Sequence, residues 1–215
     1  MQLYTRPLSP YSAFARGVLY LKDLPFKPIT PAYPFAAEVA KVNPFKRIPI
    51  LVTSSGEVLY EAAVIAEYLE DHFPHKTLLP GTPRERALIR LLARIAELDV
   101  LGPANKLFVL LSKQERDLPT IARLFEKMHA GLAVVESRLG PGDYAIGNTP
   151  TLADAWLLPV RFLMEPLKKL SGKTDLLDAY PRFDAYAAKA KQNPALERIW
   201  NEMSDGLQDF MPQLV

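Results

Sequence analysis

The spacing of apolar positions changes near residue 80. Before it, short β-branched or aromatic runs alternate with stretches of helical period; after it, apolar residues recur at three- and four-residue steps. Leu3 to Thr5 predicts a short strand. Pro10 to Lys22, with Phe14, Val18 and Leu21 on one face, predicts a helix. Phe26 to Thr30 predicts a second strand, and Pro28 assigns it to a sheet edge because proline removes a ladder donor. Pro31 to Pro34 reads as loop and Ala36 to Val42 as a short helix. Ile50-Leu51-Val52 is a strand, joined by the turn Ser54-Ser55-Gly56-Glu57 to a strand at Val58-Leu59-Tyr60. Ala62 to Asp71, apolar at Ile65, Tyr68 and Leu69, is an amphipathic helix. The order βαβαββα is an α/β unit of about 80 residues.

The remainder predicts helices. Pro83 to Leu98 starts on a proline, which the first helical turn tolerates, and carries a stripe of Leu88, Leu91, Leu92, Ile95 and Leu98. Pro119 to Leu139 repeats the pattern with Leu124, Met128, Leu132 and Val135. Thr151 to Leu163 opens on Thr151-Leu152-Ala153-Asp154, a capping box with Asp for Glu. Shorter helices at Phe183 to Lys191 and Ala195 to Met203 complete a bundle. Pro80-Gly81-Thr82-Pro83 breaks the chain between the halves. The expected organisation is an α/β domain over residues 1–78 and an all-α domain over 84–215.

Composition narrows the chemistry. The 215 residues include 26 Lys+Arg and 24 Asp+Glu, a formal net charge of +2, with the two signs interleaved. Nucleic acid as main partner is disfavoured, since neutralising phosphates needs a concentrated basic surface. The absence of cysteine excludes a cysteine nucleophile, a CxxC redox pair, a thiolate zinc site and disulfides. His72, His75 and His129 make no metal-ligand pattern, and no metal is expected. No apolar stretch approaches the roughly 20 residues that span a bilayer, and the first residues lack a signal-peptide pattern, so the expectation is a cytoplasmic protein without membrane contact.

Four segments together resemble the cytosolic glutathione transferase superfamily. They are Ser9-Pro10-Tyr11-Ser12-Ala13-Phe14-Ala15-Arg16, Asn43-Pro44-Phe45-Lys46-Arg47-Ile48-Pro49-Ile50-Leu51, Tyr60-Glu61-Ala62-Ala63-Val64-Ile65-Ala66-Glu67-Tyr68-Leu69 and Thr151-Leu152-Ala153-Asp154. The resemblance implies a thioredoxin-like N-terminal domain, an all-α C-terminal helical bundle and a homodimer. It further implies an enzyme that takes glutathione as co-substrate and conjugates its thiolate to small hydrophobic electrophiles.

The physical task is to favour the thiolate, since a free thiol near pKa 8.5 is only a few per cent ionised at neutral pH. By resemblance, Ser9 is the catalytic hydroxyl; as a residue, it reads equally as the N-cap of the helix that follows. Tyr11 and Ser12 are neighbouring hydroxyls of the same site, and Tyr4 is a weaker alternative. Ile48-Pro49 resembles the family's cis-proline pair, which pairs backbone groups with the cysteinyl residue of glutathione. Lys46 and Arg47 are placed to meet the glycyl carboxylate, or form an ordinary solvated pair. Glu61-Ala62 stands where the family has an acid followed by serine, receiving the γ-glutamyl group at a helix start. Ala62 lacks that hydroxyl, and losing one hydrogen bond to a charged group costs about 1.5–3 kcal/mol. Trp156, Phe108 and Phe162 are candidate walls for the electrophile, or core. Ala62 motivates an alternative: a non-catalytic binding protein of the stringent-starvation, RNA polymerase-associated type. Those proteins carry Pro-His-Pro in a surface loop, where this chain has Pro74-His75-Lys76.

Overall fold

The computed structural model describes residues 1–214. Four short strands, β1 (Gln2–Tyr4), β2 (Lys27–Ile29), β3 (Ile50–Val52) and β4 (Val58–Tyr60), form one mixed sheet in the order β2-β1-β3-β4. β1 runs parallel to β2 and antiparallel to β3, and β4 is antiparallel to β3. Leu3 stands opposite Leu51, and both are wholly buried. β2 lies at the edge, where Pro28 costs no ladder to a further strand. Helices α1 (Pro10–Leu21), α2 (Ala36–Val39) and α3 (Ala62–His72) alternate with the strands.

A helical region follows: α4 (Pro83–Ile95), a π-helical turn (Ala96–Leu101), α5 (Gly102–Leu111), α6 (Leu118–Arg138), α7 (Leu152–Ser171), α8 (Pro181–Ala190) and α9 (Pro194–Phe210). Local chemistry sets several of these starts. Proline opens α1, α4, α8 and α9, and the Thr82–Glu85 capping box holds the first turn of α4. Gly172, at φ +71, ends α7 in the left-handed conformation.

Several spans differ from the sequence-based expectation: α4 gives way to the π-helical turn after Ile95 rather than running to Leu98, and α9 continues past Met203 to Phe210. α2 stops at Val39 rather than Val42. α7 runs on to Ser171, past Leu163, with Pro159 and Pro166 inside it. α5 has no counterpart in the expected elements. Here Gly102 and Pro103 occupy the opening positions of a helix, where a missing N–H is harmless.

One hydrophobic core joins sheet and bundle. Phe14 of α1 stacks on Trp156 of α7 with ring centroids 3.9 Å apart. Lys22 and Glu70 form an ion pair of 2.7 Å, closed off from solvent between α1 and α3. Among the described residues no helix is long and apolar enough to cross a membrane.

Candidate active site

Arg16 fixes the chain on its way into α1. Its buried guanidinium donates to Thr5 Oγ1 at 2.6 Å and to the carbonyls of Arg6 and Pro7, each at 2.9 Å. Its Nε pairs with Glu202 of α9 at 2.6 Å. The loop therefore reaches Ser9 in one conformation. Ser9 has an extended backbone, and its Oγ accepts the Ser12 N–H at 3.3 Å, so it is the N-cap of α1. A capping hydroxyl uses a lone pair; its own proton stays available to a second partner. Ser12 is wholly buried, and its hydroxyl makes no hydrogen bond to the described residues.

A cleft of about 310 Å³ lies beside this helix start, lined by Tyr11, Asn43, Arg47, Ile48, Pro49, Glu61, Ala62 and Glu97. Six of these residues were singled out by sequence: Tyr11, Arg47, Ile48, Pro49, Glu61 and Ala62. Ser9, Ser12 and Lys46 do not line it. Lys46 is exposed, in a turn where it takes φ +56. Tyr4 is half-buried on β1, and Phe108 half-buried on α5. Trp156 and Phe162 are buried; Trp156 meets the Tyr11 ring edge-on at 5.6 Å, and Phe162 meets Trp200. Larger depressions occur elsewhere, one of about 770 Å³ between α5 and α6, whose lining includes none of the candidate residues.

Local geometry explains how the cleft is held. Asn43 is buried; its amide donates to the Arg47 carbonyl and its Oδ1 accepts the Phe45 N–H, both at 2.9 Å. It thereby shapes the turn carrying Arg47. An asparagine before proline is a turn signal, and that signal identifies the turn but not its place in a cleft. The Ile48–Pro49 bond is cis. Glu61 precedes α3 at φ +70, ψ 114, a conformation unfavourable for a residue with a Cβ. Such strain persists only where surroundings over-determine it, and it concentrates at functional sites. Behind Glu61, the first amides of α3 lack intrahelical partners and carry the positive end of the helix dipole.

Glu97 enters from the π-helical turn, and no sequence motif marked it. Arg94 donates to its Oε2. Burial raises its pKa above the ordinary carboxylate value, Arg94 opposes the shift, and Glu61 adds to it. Burial likewise raises the pKa of the Tyr11 phenol, reinforced by Glu97 and opposed by the Asn105 side chain. At neutral pH Tyr11 therefore keeps its proton and is a donor. The site combines one guanidinium, two carboxylates, a helix N-terminus and a phenol, a set suited to a small zwitterionic ligand with several carboxylates.

Comparison with known proteins gives the same direction. Residues 8–72 match the family model described as glutathione S-transferase, N-terminal domain, and residues 119–189 match glutathione S-transferase, C-terminal domain. A maleylacetoacetate isomerase of Pseudomonas aeruginosa is 30% identical over 212 residues, covering 92% of this chain and 94% of that protein. A solved maleyl pyruvate isomerase, described as a bacterial glutathione S-transferase in the Zeta class, is 28% identical with TM-score 0.77, covering 93% of this chain and 96% of the other. The fold also matches a Methylobacterium radiotolerans glutathione S-transferase solved with glutathione sulfonate: TM-score 0.80, 24% identity, 92% of each chain.

Proposed function

This chain belongs to the glutathione S-transferase family, and from that premise we propose that it binds glutathione in the Tyr11–Glu97 cleft and transfers its thiolate to small hydrophobic electrophiles. The observation that carries the proposal is the convergence of Tyr11, Arg47, Ile48, Pro49, Glu61 and Ala62 on one cleft beside the N-terminus of α1. Ile48 offers its backbone to the cysteinyl residue. Arg47, with Lys46 nearby, meets the glycyl carboxylate. Glu61 and the Ala62 amide receive the γ-glutamyl group. Ser9 donates its free hydroxyl proton to sulfur, and with the helix dipole lowers the thiol pKa toward neutrality. The thiol proton passes to solvent, and the thiolate then attacks an electrophilic carbon, forming the C–S bond as the leaving group, a halide in a chlorinated nitroaromatic, departs with the electron pair of the bond that breaks. The proposal includes a homodimer in the cytoplasm.

A glutathione-dependent isomerase is the second reading. It is favoured by the isomerase 30% identical over 92% of this chain. The same thiolate adds reversibly to an activated alkene, the former double bond rotates, and sulfur leaves. A non-catalytic scaffold is not favoured, because the relatives described above are named as transferases and isomerases.

Calorimetric titration with glutathione tests the site: binding in the micromolar to low-millimolar range is expected, and no binding overturns the proposal. Turnover of a chlorinated nitroaromatic, against cis–trans isomerisation of a maleyl substrate, separates the two readings. Ser9→Ala is expected to lower kcat. An unchanged kcat removes Ser9 from its role.

A further inference from the structure

We propose that the depression of about 690 Å³ between the start of α6 and the end of α7 is a second ligand site, built for an amphiphilic hydroxy acid: an apolar chain that ends in a carboxylate with a hydroxyl beside it. It shares no lining residue with the Tyr11–Glu97 cleft. Its volume lies within the ordinary range for small-molecule sites, about 300–1,000 Å³.

One wall is apolar. Ile121 and Phe125 of α6 and Leu111 of α5 form its base, and Leu118 is 67% exposed at the head of α6. A chain laid against them removes that leucine from water. Cations stand beside the wall. The Lys173 ammonium lies 5.2 Å from the Phe125 ring centroid, and Arg116 is held by a bond from Nη2 to the Leu111 carbonyl at 3.1 Å. Among the described residues neither forms an ion pair. Glu126 is the single carboxylate of the lining, so two cations against one anion leave an excess of positive charge. Apolar surface beside uncompensated cations suits a chain with an anionic head.

His129 sets the second polar group of the ligand. The Tyr180 hydroxyl has one proton; its oxygen lies 3.2 Å from the His129 carbonyl, which only accepts, and 2.8 Å from Nδ1. Both contacts are satisfied when the hydroxyl donates to the carbonyl and Nδ1–H donates to the hydroxyl. That tautomer leaves a lone pair on Nε2, and no hydrogen bond reaches Nε2 among the described residues. Burial lowers the His129 pKa, Lys173 reinforces the shift and Asp175 opposes it, so the ring is neutral at neutral pH. Lys173 therefore stands close to an imidazole that offers an acceptor. A carboxylate drawn to Lys173 has no proton for Nε2, whereas a hydroxyl next to that carboxylate donates to it.

The test is calorimetric titration with 3-hydroxyoctanoate, octanoate and 1-octanol. Wild type is expected to bind them in that order, about tenfold apart at each step, the size of one hydrogen bond to a charged or buried group. Lys173→Gln, at an exposed position, is expected to weaken both acids about tenfold and leave the alcohol unchanged. His129→Phe keeps a ring and the carbonyl that Tyr180 bonds, and is expected to erase only the preference for the hydroxy acid over octanoate. If circular dichroism shows that variant unfolded, the wild-type Nε2 nitrogen resonance replaces it: 3-hydroxyoctanoate is expected to shift it and octanoate to leave it in place. Saturating glutathione is expected to leave all three affinities unchanged. Absence of binding by the acids, acids bound no better than the alcohol, unchanged acid affinity in Lys173→Gln, or displacement by glutathione overturns the site. Equal affinity of wild type for the two acids overturns its assignment to a hydroxy acid. None of these outcomes bears on whether the Tyr11–Glu97 cleft holds glutathione.

Discussion

Asp154 is wholly buried, yet its carboxylate is the acceptor for the Ala145 and Thr151 amides, the Thr151 hydroxyl and the Tyr186 phenol, all between 2.7 and 2.8 Å. Asp154→Asn turns one acceptor into a donor facing donors. It is expected to cost about 3 kcal/mol in a urea titration, within the range for leaving buried partners unpaired. Lys22→Ala strands Glu70 without its cation in a closed space and is expected to cost about 3–5 kcal/mol by the same measurement. Glu70 also accepts from Thr77 and the Leu78 amide, so part of that loss reports loosening of the loop into α4. These two groups differ in what the sequence reveals. Thr151 and Asp154 are three residues apart, and a capping motif is a local pattern. Lys22 and Glu70 are separated by 48 positions, and nothing local links them. The same contrast holds in the cleft: the segment from Asn43 to Pro49 and the Glu61-Ala62 pair are readable as motifs, whereas Glu97 gains meaning only from what folds beside it.

At the scale of elements, periodicity located most strands and helices because each buries one face. It failed where burial overrides propensity. α7 keeps its helix through Pro159 and Pro166 because Leu152 to Met164 is buried on every side and continues to pack. Between α4 and α5, the π-helical turn carries Glu97 toward the cleft, and α6 passes close behind it. A Cβ on Gly131 would stand 2.7 Å from the Asp99 carbonyl oxygen. Gly131→Ala gains about 1 kcal/mol of helix propensity, but overpacking against backbone costs about 1–3 kcal/mol. Net destabilisation is expected in thermal unfolding, with a weaker glutathione affinity as the turn is pushed. An equal or higher Tm would show that the two helices separate freely. Gly206 plays the matching part on α9: a Cβ there would stand 2.7 Å from the Leu8 amide nitrogen, and its absence lets α9 back the loop leading to Ser9.

Across the whole molecule, the Phe14–Trp156 stack and the Arg16–Glu202 pair bind the sheet region to the bundle through one core. Unfolding is therefore expected as a single transition, with tryptophan fluorescence and far-ultraviolet circular dichroism coinciding; separated midpoints would refute this. The proposed homodimer predicts a sedimentation mass twice the 24.1 kDa of the chain, with exposed apolar residues such as Phe45, Val64 and Leu91 available to be covered. The amino-acid sequence by itself determined the βαβαββα order, the helical second half, the absence of any cysteine side chain and the motifs by which the chain resembles the glutathione transferases. These are properties of short windows, where side-chain period, turn residues and caps act over a few positions. Only the tertiary structure decided that Arg16 anchors the Ser9 loop, that α7 outlasts its prolines and that Glu97 joins Glu61 in the lining of one cleft. Those outcomes depend on which distant surfaces exclude water together, and exclusion of water is a property of the packed chain.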